Sequence, residues 1–217
     1  MRKKDEFVIG VDEAGMGPVF GPLVVSGAAV LRKDIGALSK IGVKDSKKFG
    51  SGLAAHRRRK TVLADAAGVV INRKVVAINP EQIKSGNLYD LHIRAVRSIL
   101  RSLNWRGAST VYIEQVGGMA REGFLQKLGF WHRGFVYEKK ADVNYPAVSL
   151  ASISAKIERD IRVGNLCRSL GEDFVSGYAN KTTEEFFRRY FSKHGRLPPG
   201  TRTSYEWGPI TEMREGR

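Results

Sequence analysis

The chain predicts an α/β fold, a mixed sheet with helices packed on its faces, and three observations predict it. Short apolar runs rich in β-branched residues recur at 7–11, 22–31, 69–78 and 110–116, the signature of strands. Between and after them the apolar period changes to that of a helix, in Leu88, Leu91, Ala95, Ile99 and Leu103 and again in Leu150, Ile153, Ile157 and Ile161. With 217 residues, 42% of them hydrophobic, the chain can bury one sizeable core and has no need of two.

Taken in order, FVIGV at 7–11 reads as a buried strand that delivers Asp12 and Glu13 into a turn rich in glycine, at Gly15, Gly17 and Gly21. PLVVSGAAVL at 22–31 pairs back on it as a second strand. Residues 33–48 are mixed and read as loop, holding the cluster Lys44-Asp45-Ser46-Lys47-Lys48. The basic run His56-Arg57-Arg58-Arg59-Lys60 enters an alanine-rich helical stretch that ends at Ala67. VVINRKVVAI at 69–78 alternates as a third strand until Asn79-Pro80 stops it.

A helix then runs from Asn87 to the break at residues 104–107, and TVYIEQV at 110–116 returns to strand with Glu114 inside it. Gly117-Gly118 opens a short helix to about Leu128, and residues 131–140 read as a polar edge strand that delivers Asp142. Pro146 begins a long helix, with Ala151, Ser152 and Ala155 small enough for close packing and with Lys156, Arg159 and Asp160 off the apolar stripe. A loop bearing Ser176-Gly177-Tyr178, a basic aromatic helix at 184–194 and a tail broken by Pro198-Pro199 complete the chain. The expected division is a catalytic region over 1–170 and a helical, substrate-contacting region of the same domain over 171–217.

Lys and Arg number 37 against 22 Asp and Glu, a formal net charge of +15 spread along the whole length. Such an excess suits a polyanionic partner, whose counterions it releases on binding. Cys167 is the single cysteine, which excludes an intrachain disulfide or a thiolate zinc cage. The charged start MRKKDEF argues against a signal peptide and no run reaches the length of a membrane span, so the expected home is cytoplasmic. His56, His92, His132 and His194 show no paired ligand spacing, and none is assigned to catalysis.

Asp12, Glu13, Glu114 and Asp142 all fall at or near strand ends, where sites assemble in open α/β sheets. Two unit charges 4 Å apart repel by roughly 4 kcal/mol at an effective dielectric near 20, so four converging carboxylates require cations or shifted protonation. Oxygen-only ligands select Mg²⁺ or Mn²⁺, and a pair of such ions can activate water and stabilise the leaving oxygen of a phosphodiester. Each residue also has an ordinary use. Asp and Glu beside Gly commonly end a strand, Glu114 could face water on a half-exposed strand, and Tyr178 could be a buried aromatic. Asp160 rivals Asp142 for the fourth position, but its neighbour Arg159 and its place on a helix suit a structural ion pair. Two other functions fit the same chemistry: a nuclease of this fold cutting another structure, and a basic module that holds duplex without cutting.

The blocks DEAGMGPVFGPLVVSG at 12–27, VKDSKK at 43–48, KADVNYPAVSLASISAKIERD at 140–160, SGY at 176–178 and the HGRLPP-type ending at His194 resemble type 2 ribonuclease H, nearest its archaeal branch. The resemblance runs in order over nearly the whole chain. It implies a ribonuclease H-like fold, a mixed five-stranded sheet flanked by helices with a C-terminal helical region. It implies metal-dependent hydrolysis of the RNA strand of RNA–DNA hybrids, and of ribonucleotides embedded in duplex DNA, leaving a 3′-hydroxyl and a 5′-phosphate. By the same resemblance Asp12, Glu13, Glu114 and Asp142 are the catalytic metal ligands. Gly15, Met16 and Gly17 contact the 2′-hydroxyl and phosphates through the backbone, Lys47 lies near the substrate backbone, and Tyr178 stacks on the sugar. The partner implied is nucleic acid, with no membrane, and the chain is expected to act as a monomer. Two positions depart from the family pattern. Met16 stands where Arg is usual and cannot pair with phosphate, and Glu114 stands where Asp is usual, one methylene longer.

Overall fold

The computed structural model describes residues 6–43, 46–50, 52–129 and 133–216, without the side chains of Ser46 and Lys47. In chain order the elements are β1 (Phe7–Ala14), β2 (Leu23–Leu31), α1 (Ile35–Ile41), α2 (Gly52–Asp65), β3 (Val70–Ile78), α3 (Pro80–Ser85) and α4 (Leu88–Ser102). They continue with β4 (Thr110–Glu114), α5 (Arg121–Leu128), β5 (Phe135–Glu138), α6 (Ala141–Asn144), α7 (Pro146–Ser169), α8 (Lys181–His194) and α9 (Gly208–Glu215). The strands form one five-stranded sheet in the order β3-β2-β1-β4-β5. β1, β2 and β3 pair antiparallel, while β4 runs parallel to β1 and β5 parallel to β4, so the sheet is mixed as the sequence predicts.

Alternation along β1 assigns its two faces. Ile9 and Val11 join the larger core with Val96, Ile99 and Leu100 of α4 and with Phe124, Leu125 and Leu128 of α5. On the other face α7 lies directly on the strand. A Cβ at Gly10 would come within 2.2 Å of the Ala147 backbone, so only glycine permits this approach. Ala28 and Val30 of β2 meet Leu150, Ile153 and Ile157 of α7 there, together with Leu38 of α1 and Ala55 of α2. A third cluster gathers Val19 and Phe20 against Val163 and Cys167 of α7, and against Phe186, Phe187, Tyr190, Ile210 and Met213 of the C-terminal segment. Phe20 meets Phe186 and Phe187 edge-on, with ring centroids 5.3 and 6.0 Å apart.

Local signals set the helix starts. The Asn87 side chain accepts from the amides of Tyr89 and Asp90 to cap α4, and Asn79 with Gln82 forms a capping box on α3. Three expectations need correction. Within 33–48, expected as loop, α1 forms because its buried Leu38 docks on the core between β2 and α7. The edge strand expected over 131–140 is confined to Phe135–Glu138, and residues 131 and 132 lie outside the described ones. Arg159, expected off the buried face of the long helix, is 1% exposed. Among the described residues no helix is long and apolar enough to cross a membrane.

Gly10→Ala is expected to destabilise the fold by about 1–3 kcal/mol or more, since neither the strand nor the α7 backbone can retreat without opening the sheet. Urea unfolding measures this, and an unchanged midpoint would contradict the packing.

Candidate active site

Side chains alternate along a strand, so Asp12 leaves β1 on the α7 face and Glu13 on the face of Ile9 and Val11. The two carboxylates therefore flank the strand end from both sides. The β1–β4 register pairs Val11 with Ile113, and one further step carries Asp12 beside Glu114, the last residue of β4. β5 follows in parallel, and α6 opens just beyond it with Asp142 in its first turn. All four carboxylates line a single cavity of about 750 Å³ at the carboxyl ends of the parallel strands. Gly15, Met16, Gly17 and Tyr178 line the same cavity, as do Arg59, Ser152 and Lys156. The Lys47 side chain lies outside the described residues, and its backbone belongs to the short 3-10 turn Ser46–Phe49 leading to Gly50 on the cavity wall.

Burial and crowding raise the proton affinity of this cluster. Burial, and next the neighbouring Glu13 charge, hold Asp12 well above the usual carboxylate range, against hydrogen bonds from the Ser152 hydroxyl and the Glu13 amide, the latter at 2.7 Å. Glu13 is pushed up to about 7, first by burial and then by the charges of Glu114 and Asp142. Its Oε2 is fully buried with no hydrogen-bond partner among the described residues. Glu114 is also raised, chiefly by burial, while backbone amides oppose the shift. Its Oε1 accepts from Lys140 N at 2.9 Å and its Oε2 from Asp142 N at 3.0 Å. Lys140 enters the left-handed region at φ 62°, which turns the chain from β5 into α6 under the Glu114 carboxylate. Glu114 thus does not face open water; it holds the turn that presents Asp142.

The Asp12 and Glu13 carboxyls come within hydrogen-bonding reach of each other at the strand end, while no group of three or more His, Cys, Asp or Glu among the described residues forms a ready-made metal cage. The donor set nevertheless fits a hard divalent cation: it is oxygen-only, and it includes a buried oxygen, Glu13 Oε2, that has no donor among the described residues.

The loop beyond β1 is held from the C-terminal side. Gly177 O accepts from Val19 N at 2.8 Å and Phe20 N at 3.2 Å. Gly177 sits at φ 77°, and a Cβ there would lie 2.5 Å from Phe20 O, so glycine is required. Arg159 donates to Ser176 O at 2.9 Å and to Phe20 O at 3.4 Å, and its guanidinium lies 5.6 Å from the Tyr178 ring centroid. Tyr178 is 46% exposed, which rules out the buried-aromatic reading. Asp160 pairs with Lys156 at 2.6 Å and approaches His56 at 3.8 Å. It is therefore the structural ion pair expected, but with Lys156 in place of Arg159. Sequence reasoning missed Arg159 and the Ser152 hydroxyl. The signal for Arg159 was present: Ala151, Ala155, Arg159 and Val163 recur at steps of four and are all buried.

A mixed five-stranded sheet between helices, with an acidic pocket where its parallel strands end, defines an endonuclease of the ribonuclease H class. The family model for ribonuclease HII matches residues 9–207, and the chain belongs to that family. Ribonuclease HII of Pyrococcus furiosus is 35% identical over 202 residues, which cover 91% of this chain and 87% of the relative. The crystal structure of ribonuclease H2 from Pyrococcus horikoshii superimposes with a TM-score of 0.82 at 29% identity, over 97% of this chain and 98% of that one. Bst RNase HIII in complex with Mn²⁺ shares the fold, with a TM-score of 0.79 at 20% identity over 99% of this chain and 71% of that one. The archaeal resemblance read from the motif blocks is borne out, and with it an endoribonuclease acting on RNA–DNA hybrids.

The Glu13 shift carries a sign. Between its ordinary value of 4.5 and about 7 the folded protein binds more protons than the unfolded chain, so this group makes stability fall as pH rises through that window. In metal-free protein Glu13→Gln is expected to flatten that slope and to be more stable than the parent at pH 8, by on the order of 1–3 kcal/mol. Urea titrations from pH 5 to 8 with a chelator decide it; a less stable variant at pH 8 would contradict the burial of an uncompensated charge.

Proposed function

We propose that this chain cuts the RNA strand of RNA–DNA hybrids, and ribonucleotides embedded in duplex DNA, at the cavity bounded by Asp12, Glu13, Glu114 and Asp142, leaving a 3′-hydroxyl and a 5′-phosphate. The observation that carries this reading is the convergence of four carboxylates, from three separate stretches of sequence, on one cavity that also holds Tyr178 and the glycine loop. These carboxylates would hold Mg²⁺ or Mn²⁺, whose Lewis-acid chemistry there is to polarise the phosphoryl group and activate water.

The other roles fall to the chain's own groups. Lys156 and Arg59 at the cavity wall oppose the charge of a phosphate entering an acidic site. Lys47 takes the role that the family resemblance implies, near the substrate backbone. Tyr178, exposed above and braced by Arg159 below, offers a face to stack on the sugar and to sense its 2′-hydroxyl. Gly15, Met16 and Gly17 bring backbone to the phosphate chain: Gly15 makes the turn at φ 105° where a Cβ would meet Arg159 Nε at 2.6 Å, and exposed Gly17 leaves the cavity side open. The Ser152 hydroxyl orients Asp12, and Glu114 orients Asp142 through its amide. The catalytic region over 1–170 and the substrate-contacting region over 171–217 act as one domain. The chain is taken to act as a monomer, as the family resemblance implies.

One observation favours a second reading. Met16 packs on the main core and offers no charge to a phosphate, which suits a hybrid nuclease without preference for a lone ribonucleotide in DNA.

Cleavage of a uniform RNA–DNA hybrid and of duplex DNA bearing one ribonucleotide, each in Mg²⁺ and in Mn²⁺, tests both readings. The parent is expected to cut both substrates, and cleavage of the hybrid alone would favour the second reading. Asp12→Asn is expected to lose activity by about 10³-fold, the loss of several kcal/mol of charge stabilisation. Glu114→Gln should cost about 10²-fold or more, because its amide group would face a backbone N–H it cannot accept from. Unchanged turnover in either variant would remove that residue from the site.

A further inference from the structure

Met16 sits at the centre of the glycine loop with its side chain packed inward. Its carbonyl is also turned inward, where it accepts from the Tyr205 hydroxyl and from Arg202 Nη1, the latter at 3.4 Å. Arg202 is wholly buried. Its Nη1 also donates to the Tyr205 hydroxyl at 3.2 Å, its Nε to Gly21 O at 2.8 Å, and its backbone N–H to Val19 O at 2.8 Å. A further bond from Gly21 N to Gly200 O at 3.0 Å ties residues 16–21 along their length to residues 200–205.

In a trans peptide the carbonyl and the following N–H point in opposite directions, and the described chain has no cis peptide. With the Met16 carbonyl drawn toward wholly buried Arg202 and toward Tyr205, whose ring also lines the cavity, the Gly17 N–H points the opposite way. Gly17 is exposed and lines the cavity. We propose that Arg202 and Tyr205 are positioning residues that aim the Gly17 amide at a phosphate oxygen of the substrate strand, supplying through the backbone the contact that the Met16 side chain does not. The inference rests on the nuclease reading of the cavity.

Charge beneath the loop favours the same ligand. Arg159 and Arg202 lie close enough to interact electrostatically, and among the described residues neither forms a salt bridge with a carboxylate. Arg159 Nε and Nη1 and Arg202 Nη2 are buried without hydrogen-bond partners among the described residues. Two buried cations behind a loop whose amide faces outward lower the energy of an anion in front of it.

Tyr205→Phe removes the hydroxyl and keeps the ring, and Arg202→Lys keeps the charge and loses the fork. On a uniform RNA–DNA hybrid, Tyr205→Phe is expected to raise KM about 10-fold with kcat within about 2-fold of the parent and with an unchanged unfolding midpoint. Arg202→Lys should raise KM further, and the double variant should show less than the product of the two effects because both act on one carbonyl. A parental KM in Tyr205→Phe overturns the proposal, as does a fall in kcat that tracks a fall in the unfolding midpoint. If Arg202→Lys fails to fold, Tyr205→Phe alone decides. Asp12→Asn separates the two readings: parental cleavage by that variant sinks the nuclease site itself, whereas an inactive Asp12→Asn beside a parental Tyr205→Phe sinks only the positioning role.

Discussion

The parallel pairing of β1 with β4 is the constraint on which the site depends. It lays Asp12 beside Glu114 at the carboxyl ends of two interior strands, with β1 covered on both faces, where water is too scarce to dissipate their charge. Extending the parallel run by β5 adds the turn that carries Asp142. The antiparallel strands β2 and β3 contribute no carboxylate to the cavity; they complete the platform that keeps β1 central. The raised proton affinities of Asp12, Glu13 and Glu114 follow from this placement, because burial is the leading cause in each.

Helix α7 transmits the arrangement from one end of the molecule to the other. Ala147 lies on Gly10, the Ser149 hydroxyl donates to Asp142 O at 2.6 Å, Ser152 faces Asp12, Arg159 braces Tyr178, and Val163 enters the Phe20 cluster. One rigid element thus sets the spacing between carboxylates and substrate loop. At 1.5 Å per residue, Ala147 to Val163 spans roughly 24 Å. The C-terminal segment backs the same loop from behind, through Gly177, Arg202 and Tyr205. Four carboxylates thus line the cavity, with Arg59 and Lys156 on its wall, while the buried guanidiniums of Arg159 and Arg202 stand behind its loop.

Elements with a strong period were legible in sequence, and those decided by a single contact were not. The stripe Leu88, Leu91, Ala95 and Ile99 marks α4 with its cap at Asn87, and the structure agrees to within a residue or two. By contrast α1 is anchored by one buried side chain, Leu38, too little to register as a pattern. The terminal α9 buries only Ile210 and Met213 and left a similarly faint trace. The charge of Arg159 suggests a surface position, whereas its neighbours at steps of four, and Arg159 itself, are buried.

By itself the sequence determined the five strands, the long helices α4 and α7, the basic character and the four acidic positions, and its motif blocks carried the family resemblance. These depend on local period, residue type and short ungapped motifs, which need no partner to be visible. Only the tertiary structure decided where the polar groups spend their hydrogen bonds. That Glu114 holds the turn before Asp142, that Asp160 pairs with Lys156, and that Arg202 and Tyr205 grip the Met16 carbonyl are matters of direction between distant segments. Hydrogen bonds depend on distance and angle, and a linear order of residues carries neither.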